Sequence, residues 1–566
     1  MSSRDEEGGS SADTIVVGGG SAGAVLASRL SEDPRHRILL LEAGPDTYPG
    51  QEPWHVRDTY LSAFYHPENF WSDLRAHFVA GRGGVPRHYE QARIMGGGSS
   101  INAMIGLRAM PGDFDEWIAA GAAGWSWADV LPFFKKLERD LDFDGPLHGK
   151  TGPIPVRRHR RDQWPGFCKA VAACLERRNW RFVADMNGEV EDGYCAVPMT
   201  STHEQRVSTA MAYLAVSVRQ RKNLHILCDT TVERLHLNGP RAVGVTTRRR
   251  GRVERHDGGR IILAAGALHT PAIIQRAGIG PAGLLASLGI PVIADRPGVG
   301  GNLQDHPCVS IACHLKRESR QRRSLRPHSN LALRYSSDRN DCAHSDVYIS
   351  VTNKSSWHAL GRALAALTVC IYKPYSRGTV RIEAPDFREP RIDFNLLSDP
   401  RDLARLADGM SFAREICYEP EVRSAVNDFF PSSYTERIRQ LNRYSAQNRL
   451  RALAGFLLLE GPDGLRRRLI RTAVNPGADI EQVFATREAL EGWILQRAVP
   501  FYHPVGTCRM GRADDRFAVT SPLGQVYGAD GLYVVDASIM PTIPRANTNL
   551  TTIMLAEKAA EHFRKH

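Results

Sequence analysis

The stretch DTIVVGGGSAGAVLASRL, residues 13–30, decides the fold. DTIVV reads as a short buried strand, and AVLASRL has helical apolar spacing. Between them lies G-x-G-x-x-G, in the strand, tight turn and helix context that gives it meaning. Gly18 permits the turn, Gly20 lets the backbone approach a pyrophosphate, and Gly23 lets helix and strand pack closely. The helix N-terminus then offers unpaired N–H groups and a positive dipole end to phosphate. A second strand, RILLLEAG (37–44), carries Glu42 near its end, 19 residues beyond Gly23. A carboxylate there accepts hydrogen bonds from ribose hydroxyls and repels a 2′-phosphate, which disfavours NADP. The same letters hold a rival, G-x-S-x-G over 19–23, the nucleophile elbow of a serine hydrolase using Ser21, a later acid and His503. An elbow follows several earlier strands, whereas here only one precedes it, and Glu42 has no role in such an enzyme.

A chain of 566 residues exceeds one compact core, so two domains are expected. Composition is globular, 42% hydrophobic and 24% charged, without repeats. The ten cysteines are scattered, with no C-x-x-C pair and no zinc-finger spacing. This argues against a disulfide framework and against a metal site, and points to reduced thiols in a cytoplasmic protein. The N-terminal MSSRDEEGGSSAD lacks the pattern of a signal peptide, and no apolar run is long enough to cross a bilayer. Net charge is +11, with arginine concentrated in 316–326 and 437–471. The first of these basic stretches has no aromatic residue and the second only Tyr444, which disfavours nucleic acid. The second stretch, with its LLL run, could touch a membrane surface, although a solvated helical face or an oligomer contact is the plainer reading.

Farther along, QARIMGGGSSINAMIGLRAMPGDFDEW (91–117) supplies a second close-approach glycine loop. GALHTPAIIQRAGIG (266–280), RPGVGGNLQDHP (296–307), SRGTVRI (376–382), DFNLLSDPRDL (393–403), HPVGTCRMG (503–511) and VVDASIMPTIPRANTNLTTIMLAEKAA (534–560) follow in order. Together these motifs resemble the glucose-methanol-choline (GMC) family of FAD-dependent oxidoreductases over nearly the entire chain. Ala277 stands where the second signature usually has serine. Within the family, PLHGKTGPIPV (146–156), RVSTAMAYL (206–214), SWHALG (356–361) and NDFFP (427–431) most resemble bacterial oxidases of 5-hydroxymethylfurfural and aryl alcohols.

The resemblance implies an α/β fold: a Rossmann-like FAD-binding domain over roughly 13–309, and a discontinuous substrate domain on an antiparallel sheet over 310–498. Parts of 150–200 would join the substrate domain, and 499–566 would return to the FAD domain. It assigns Gly18, Gly20, Ser21, Ala22, Gly23 and Glu42 to the ADP half of FAD, with Val232 meeting the adenine through its backbone. Ala92, Arg93, Gly97, Gly98, Ser99, Asn102, Ala103 and Met104 would line the pyrophosphate or flavin side. Asp536 and Ala537 would close over the cofactor, and Asn547 and Thr548 would reach the isoalloxazine. Some relatives bond FAD through a histidine at the position of Ile101, so non-covalent FAD is expected here. A single histidine is more often packed than catalytic; the resemblance makes His503 the base that takes the alcohol's proton, with a pKa near working pH. Asn547 would orient the substrate oxygen, and Phe501 and Tyr502 would wall a flat ring.

The expected activity is oxidation of furanic or aryl alcohols to aldehydes, and onward to acids through the hydrated aldehyde, with O₂ as acceptor and H₂O₂ as product. A choline-dehydrogenase-like enzyme passing electrons to quinone is the alternative. A lyase that keeps FAD only structurally is a further one. Cys508 reads as a packed thiol.

Overall fold

The computed structural model describes residues 11–81, 85–474 and 479–565, so most of the N-terminal segment read above lies outside it. The quoted stretch forms strand β1 (Ser11–Val17), a turn, and helix α1 (Gly23–Leu30). Strand β2 (Ile38–Leu41) is buried at all four positions, as a central strand covered on both faces must be. The first sheet has the order Leu224–Leu227, β2, β1, Arg252–Leu263, Arg241–Arg249, Thr230–Asn238. Its first four strands are parallel, and the other two return as antiparallel hairpins. Leu532–Val534 joins in parallel beside Ile261–Leu263, so the chain's last part re-enters the sheet its first part began. The C-terminal helix Thr548–Lys565 packs on α1, where Arg29 meets the buried Glu557 at 2.8 Å.

Gly18, Glu42, Ala264 and Val535 each follow directly on a strand's C-terminal end. The crevice beyond those ends is where open parallel sheets bind ligands.

The second sheet is antiparallel, in the order Val426–Ser432, Pro307–Leu315, Leu364–Ile371, Val347–Thr352, Ser329–Tyr335, Gly193–Ala196. Strands Pro307–Leu315 and Leu364–Ile371 alternate by size. Ser310 and Ala312 stand directly opposite Thr368 and Ala366, and all four line the central chamber. Ile311, Cys313, Leu367 and Val369, at the intervening positions, belong to the hydrophobic core. Helix Pro400–Tyr418, started by Pro400 and capped by Asp399, packs on these same two strands. Small residues on one face leave space, and large ones on the other supply the packing.

Val499–Pro500 pairs antiparallel with Pro307–Cys308. That short pairing carries Phe501, Tyr502 and His503 to Asp305 and His306, and Phe501 N–H donates to the His306 carbonyl at 3.0 Å. Among the described residues no helix is long and apolar enough to cross a membrane. All ten cysteines are free. Buried Cys508 has its thiol pushed well up by burial, which suits a packed side chain.

Candidate active site

A chamber of about 790 Å³ runs from the glycine loop, past His503, to the helices of 436–459. Its floor at one end is backbone. A Cβ on Gly18 would lie 2.5 Å from the Ala264 carbonyl oxygen at φ +101°, so glycine is required for the turn itself. A Cβ on Gly23 would lie 1.8 Å from Gly18 O, which fixes how closely helix and loop pack. Gly20 and Gly98 differ in kind. A Cβ on Gly98 meets nothing within 4 Å, and one on Gly20 meets only the Gly97 Cα at 3.8 Å, while both residues line the chamber. Side chains there would fill the chamber rather than strike protein. Such glycines form a cradle that keeps room for a ligand, and the backbone N–H groups at the start of α1 suit a pyrophosphate.

Glu42 closes the far end. Its two carboxylate oxygens accept from Gly19 N–H at 2.7 Å and Gly44 N–H at 2.8 Å. Burial raises its pKa, and those N–H groups and the Arg93 charge oppose the rise. Each oxygen keeps a lone pair for a ribose hydroxyl. Asp536 is likewise spent on structure: Oδ2 accepts from Gly266 N–H (2.8 Å) and Thr270 Oγ1–H (2.6 Å), and Oδ1 from Ser538 N–H (2.8 Å). Glycine loop, Glu42 and Asp536 together fit the adenosine and pyrophosphate of FAD.

Of the residues predicted for the cofactor, Gly18, Gly20, Ser21, Ala22, Glu42, Ala92, Gly97, Gly98, Asn102, Ala103, Val232, Asp536, Ala537, Asn547 and Thr548 line the chamber. Gly23, Arg93, Ser99 and Met104 are not among the residues that line the chamber, and Gly23 has the packing role read from its motif. Arg93 holds its guanidinium over the Trp71 ring at 5.2 Å. Ser99 Oγ donates to the Gly96 carbonyl at 2.6 Å, Met104 is packed in the core at φ +61°, and Gly23 is buried in the helix contact. The hydrolase alternative falls here as well. The Ser21 hydroxyl donates to Asn549 Oδ1 at 2.7 Å, its one side-chain partner among the described residues, so no base is aimed at it.

At the reacting end, the hydrogen-bond partners assign the protons. His306 is completely buried, and its Nε2 lies 3.2 Å from the Pro544 carbonyl, which can only accept. Nε2 therefore carries the His306 proton, and neutral His306 accepts at Nδ1. His503 Nδ1, 2.9 Å away, must donate. His503 Nε2 is then left without a proton, facing Asn547 Nδ2 at 3.1 Å as an acceptor. Asn547 Oδ1 in turn accepts from Tyr372 O–H at 3.3 Å. Tyr372 stacks on His306 at 4.5 Å and on Tyr348 at 4.4 Å, which holds the His306 ring in place.

Asp305 shapes the backbone under His503. Its carboxylate accepts from the N–H groups of His306 (2.8 Å), Phe501 (3.1 Å) and His503 (3.0 Å). Tyr502, between the last two, has φ +63°, a conformation costly for a bulky residue, and the two flanking bonds hold it there. Burial pushes Asp305 up to about 7. Burial lowers His503 to about 3 and takes His306 well below its ordinary range, aided by the charge of His503. This corrects the expectation of a base poised near working pH: the imidazole is held neutral with its lone pair in the chamber.

Phe501 stands edge-on to His503 at 5.2 Å, and Tyr502 packs against Tyr89 and Phe64 while its hydroxyl donates to Glu90 at 2.6 Å. Both line the chamber. Three positioning residues escaped sequence reasoning: Asp305, His306 and Arg206. The first two lie inside a motif already noticed, GNLQDHP, but their partner is nearly 200 positions away. Arg206 is fully buried, and its Nη1 donates to the carbonyls of Ser99 (3.2 Å) and Asn102 (2.7 Å) and to Asn102 Oδ1 (2.8 Å). It braces the second glycine loop from behind.

This geometry has known counterparts. The chain is 39% identical to a 5-(hydroxymethyl)furfural oxidase of Methylovorus sp. (strain MP688), over 97% of this chain and 98% of that one. It is 30% identical to an oxygen-dependent choline dehydrogenase of Photobacterium profundum, over 97% and 92% respectively. Among solved structures, pyridoxine 4-oxidase from Mesorbium loti superposes with a TM-score of 0.81 at 27% identity, covering 98% of this chain and 99% of that one. Models of one family match residues 12–308 and 374–556, the segments that hold the glycine cradle and the His503–Asn547 pair, and the chain belongs to that family, the GMC oxidoreductases.

Proposed function

We propose that this protein oxidises primary aryl and furanic alcohols, 5-hydroxymethylfurfural among them, to aldehydes with non-covalent FAD, and that O₂ takes the electrons as H₂O₂. The observation that carries the reading is the Pro544–His306–His503–Asn547 hydrogen-bond set, which assigns His503 Nε2 as an acceptor at the wall of a chamber continuous with the glycine cradle. FAD, when bound, supplies the acceptor for the hydride that leaves the carbinol carbon. Gly18, Gly20, Ser21, Ala22, Glu42 and Val232 would hold its ADP half, and Ala92, Gly97, Gly98, Asn102, Ala103, Asp536, Ala537 and Thr548 the remainder. Ile101, which lines the chamber, offers no nucleophile for a covalent bond. We read the segments as an FAD domain over 13–309, a substrate domain over 310–498, and a return over 499–566.

The protein's own part is binding, orientation and one proton. The substrate hydroxyl takes the place beside Nε2 that the Asn547 amide now holds, and Asn547 N–H turns to the substrate oxygen. His503 Nε2 accepts the hydroxyl proton as the carbon gives up its hydride. The Nδ1–Nδ1 hydrogen bond lets His306 share the charge that results. A hydrated aldehyde presents the same hydroxyl to the same base, so oxidation continues to the acid.

The chamber favours an aryl alcohol over choline. Of its lining carboxylates among the described residues, Glu42 and Asp536 are engaged by backbone N–H groups and Glu90 by Tyr502, which leaves none to face a quaternary ammonium. The reading is tested by His503→Ala and Asn547→Ala. Both should keep the yellow colour of bound flavin while its reduction by substrate slows, severely in the first and less in the second. Reduction at the wild-type rate in either would remove that residue's assigned role.

A further inference from the structure

The end of the chamber opposite the glycine cradle is built from helices Glu436–Asn442 and Ala446–Leu459, and two of its lining residues are arginines, Arg437 and Arg451. Both are solvent-exposed, and among the described residues neither has an ion-pair partner. The carboxylates nearby in the sequence are spent elsewhere: Glu436 on Arg439, Glu460 on Arg317 and Arg320, Asp428 on Arg466 and Arg467. A third cation, Arg362, sits on helix Ala359–Ala363, which packs against Ala446–Leu459. Its pKa is lowered by burial and then by the charges of Arg323 and Arg449, so further guanidinium groups stand near that helix.

The side chains that line the interior between rim and base carry no free carboxylate, and the nearest buried cations, Lys354 and Arg206, act on His328 from outside the lining. His328 and His358, which line it, are brought to about 4 by burial and are neutral at working pH. Glu90, the carboxylate on this side of His503, is buried, raised in pKa by that burial, and bonded to Tyr502. Ser310, Ala312, Ala366 and Thr368 leave a floor of small residues under a flat ring. A positive mouth on a channel without free carboxylates concentrates anions, and exposed guanidinium groups hold the charged end outward. Guanidinium suits a carboxylate in particular, since its planar fork can donate two parallel N–H bonds.

We propose that Arg437 and Arg451 form an anion-recognition element, so that the preferred substrates are aryl or furanic alcohols and aldehyde hydrates that bear a carboxylate opposite the carbinol. This rests on the alcohol-oxidase reading and adds the chemical class that the chamber selects. For a substrate with two oxidisable ends, a carboxylate made at one end would hold the molecule at the rim with its other end toward His503.

The test compares 4-(hydroxymethyl)benzoate with 4-(aminomethyl)benzyl alcohol on the holoenzyme, wild type and Arg437→Glu/Arg451→Glu, with kcat and KM measured separately. Wild type should favour the carboxylate by roughly tenfold in kcat/KM, chiefly through KM, and about 0.5 M salt should compress that preference. The double variant should reverse the order, because two charges change sign at exposed positions. If the double variant loses its flavin absorbance, Arg437→Gln/Arg451→Gln replaces it and should bring the ratio towards unity. A wild-type preference for the amine, or a ratio that neither double variant moves, would overturn the proposal. Flavin bleaching by 5-hydroxymethylfurfural without any charge preference sinks this proposal alone. No bleaching by any of the three alcohols sinks the alcohol-oxidase reading, and this one with it.

Discussion

His306 offers the sharpest test of how the site is organised. It donates through Nε2 to the Pro544 carbonyl and accepts at Nδ1 from His503, and so fixes which nitrogen of His503 is free. Replacing it with leucine keeps the bulk against Tyr372 but removes the acceptor. His503 then gains nothing from carrying its proton on Nδ1, and the tautomer protonated at Nε2, which cannot take a proton from substrate, becomes accessible. The loss is one buried hydrogen bond to the reacting ring, about 1–3 kcal/mol. If felt wholly in the transition state, that is about a 5- to 150-fold fall in the rate of flavin reduction. Asparagine is the informative companion, because its amide oxygen falls close to the position of the histidine Nδ1 and restores an acceptor. Anaerobic stopped-flow reduction should rank wild type above His306→Asn and His306→Leu lowest, with flavin content equal in all three. Equal losses in the asparagine and leucine variants would show that His306 acts only by packing. Wild-type rates in both would refute the tautomer argument altogether.

The two kinds of loop glycine should separate in one experiment. Gly98→Leu points into the chamber and should lose flavin with little change in fold, whereas Gly23→Ala places Cβ 1.8 Å from Gly18 O and should cost about 1–3 kcal/mol or more of stability. Flavin absorbance per protein against thermal unfolding distinguishes them. With His503 lowered from 6.5 to about 3, the base form prevails over the working range, so flavin reduction should be flat from roughly pH 5 to 8 and show no apparent pKa near 6.5. The folded state resists a proton that the unfolded chain binds, so this group's stability contribution is full above pH 6.5 and is lost as pH falls towards 3, which acid unfolding of His503→Gln against wild type would read. Acid-denatured protein should release all its yellow colour to the supernatant, and colour retained on the pellet would contradict non-covalent FAD.

What could be read from the sequence follows from the range of the interactions concerned. The strand, glycine loop, helix and Glu42 are local, because turn chemistry and strand ends act within about 30 residues, and all appear as read. His503 and Asn547 came from motif resemblance, and the fold brings them to 3.1 Å of one another. The proton arrangement was not legible. It depends on His306 and Pro544, joined to His503 through the pairing of Pro307–Cys308 with Val499–Pro500, and on burial that no local pattern announces. The same burial is why a histidine expected near its ordinary pKa stands at about 3. Arg93, Ser99 and Met104 share a motif with Gly98 and Asn102 but do not line the chamber with them, and a motif lists neighbours without saying which way each one faces.

The most direct test of the central claim is anaerobic titration of the purified flavoprotein with 5-hydroxymethylfurfural, followed by admission of air and assay of peroxide. The account predicts bleaching of the flavin, rapid return of its colour in air, and one peroxide for each two-electron step, alcohol to aldehyde or aldehyde hydrate to acid. A flavin that does not bleach would contradict the substrate assignment. Bleaching without recovery in air would contradict O₂ as the acceptor and point to a quinone-linked dehydrogenase.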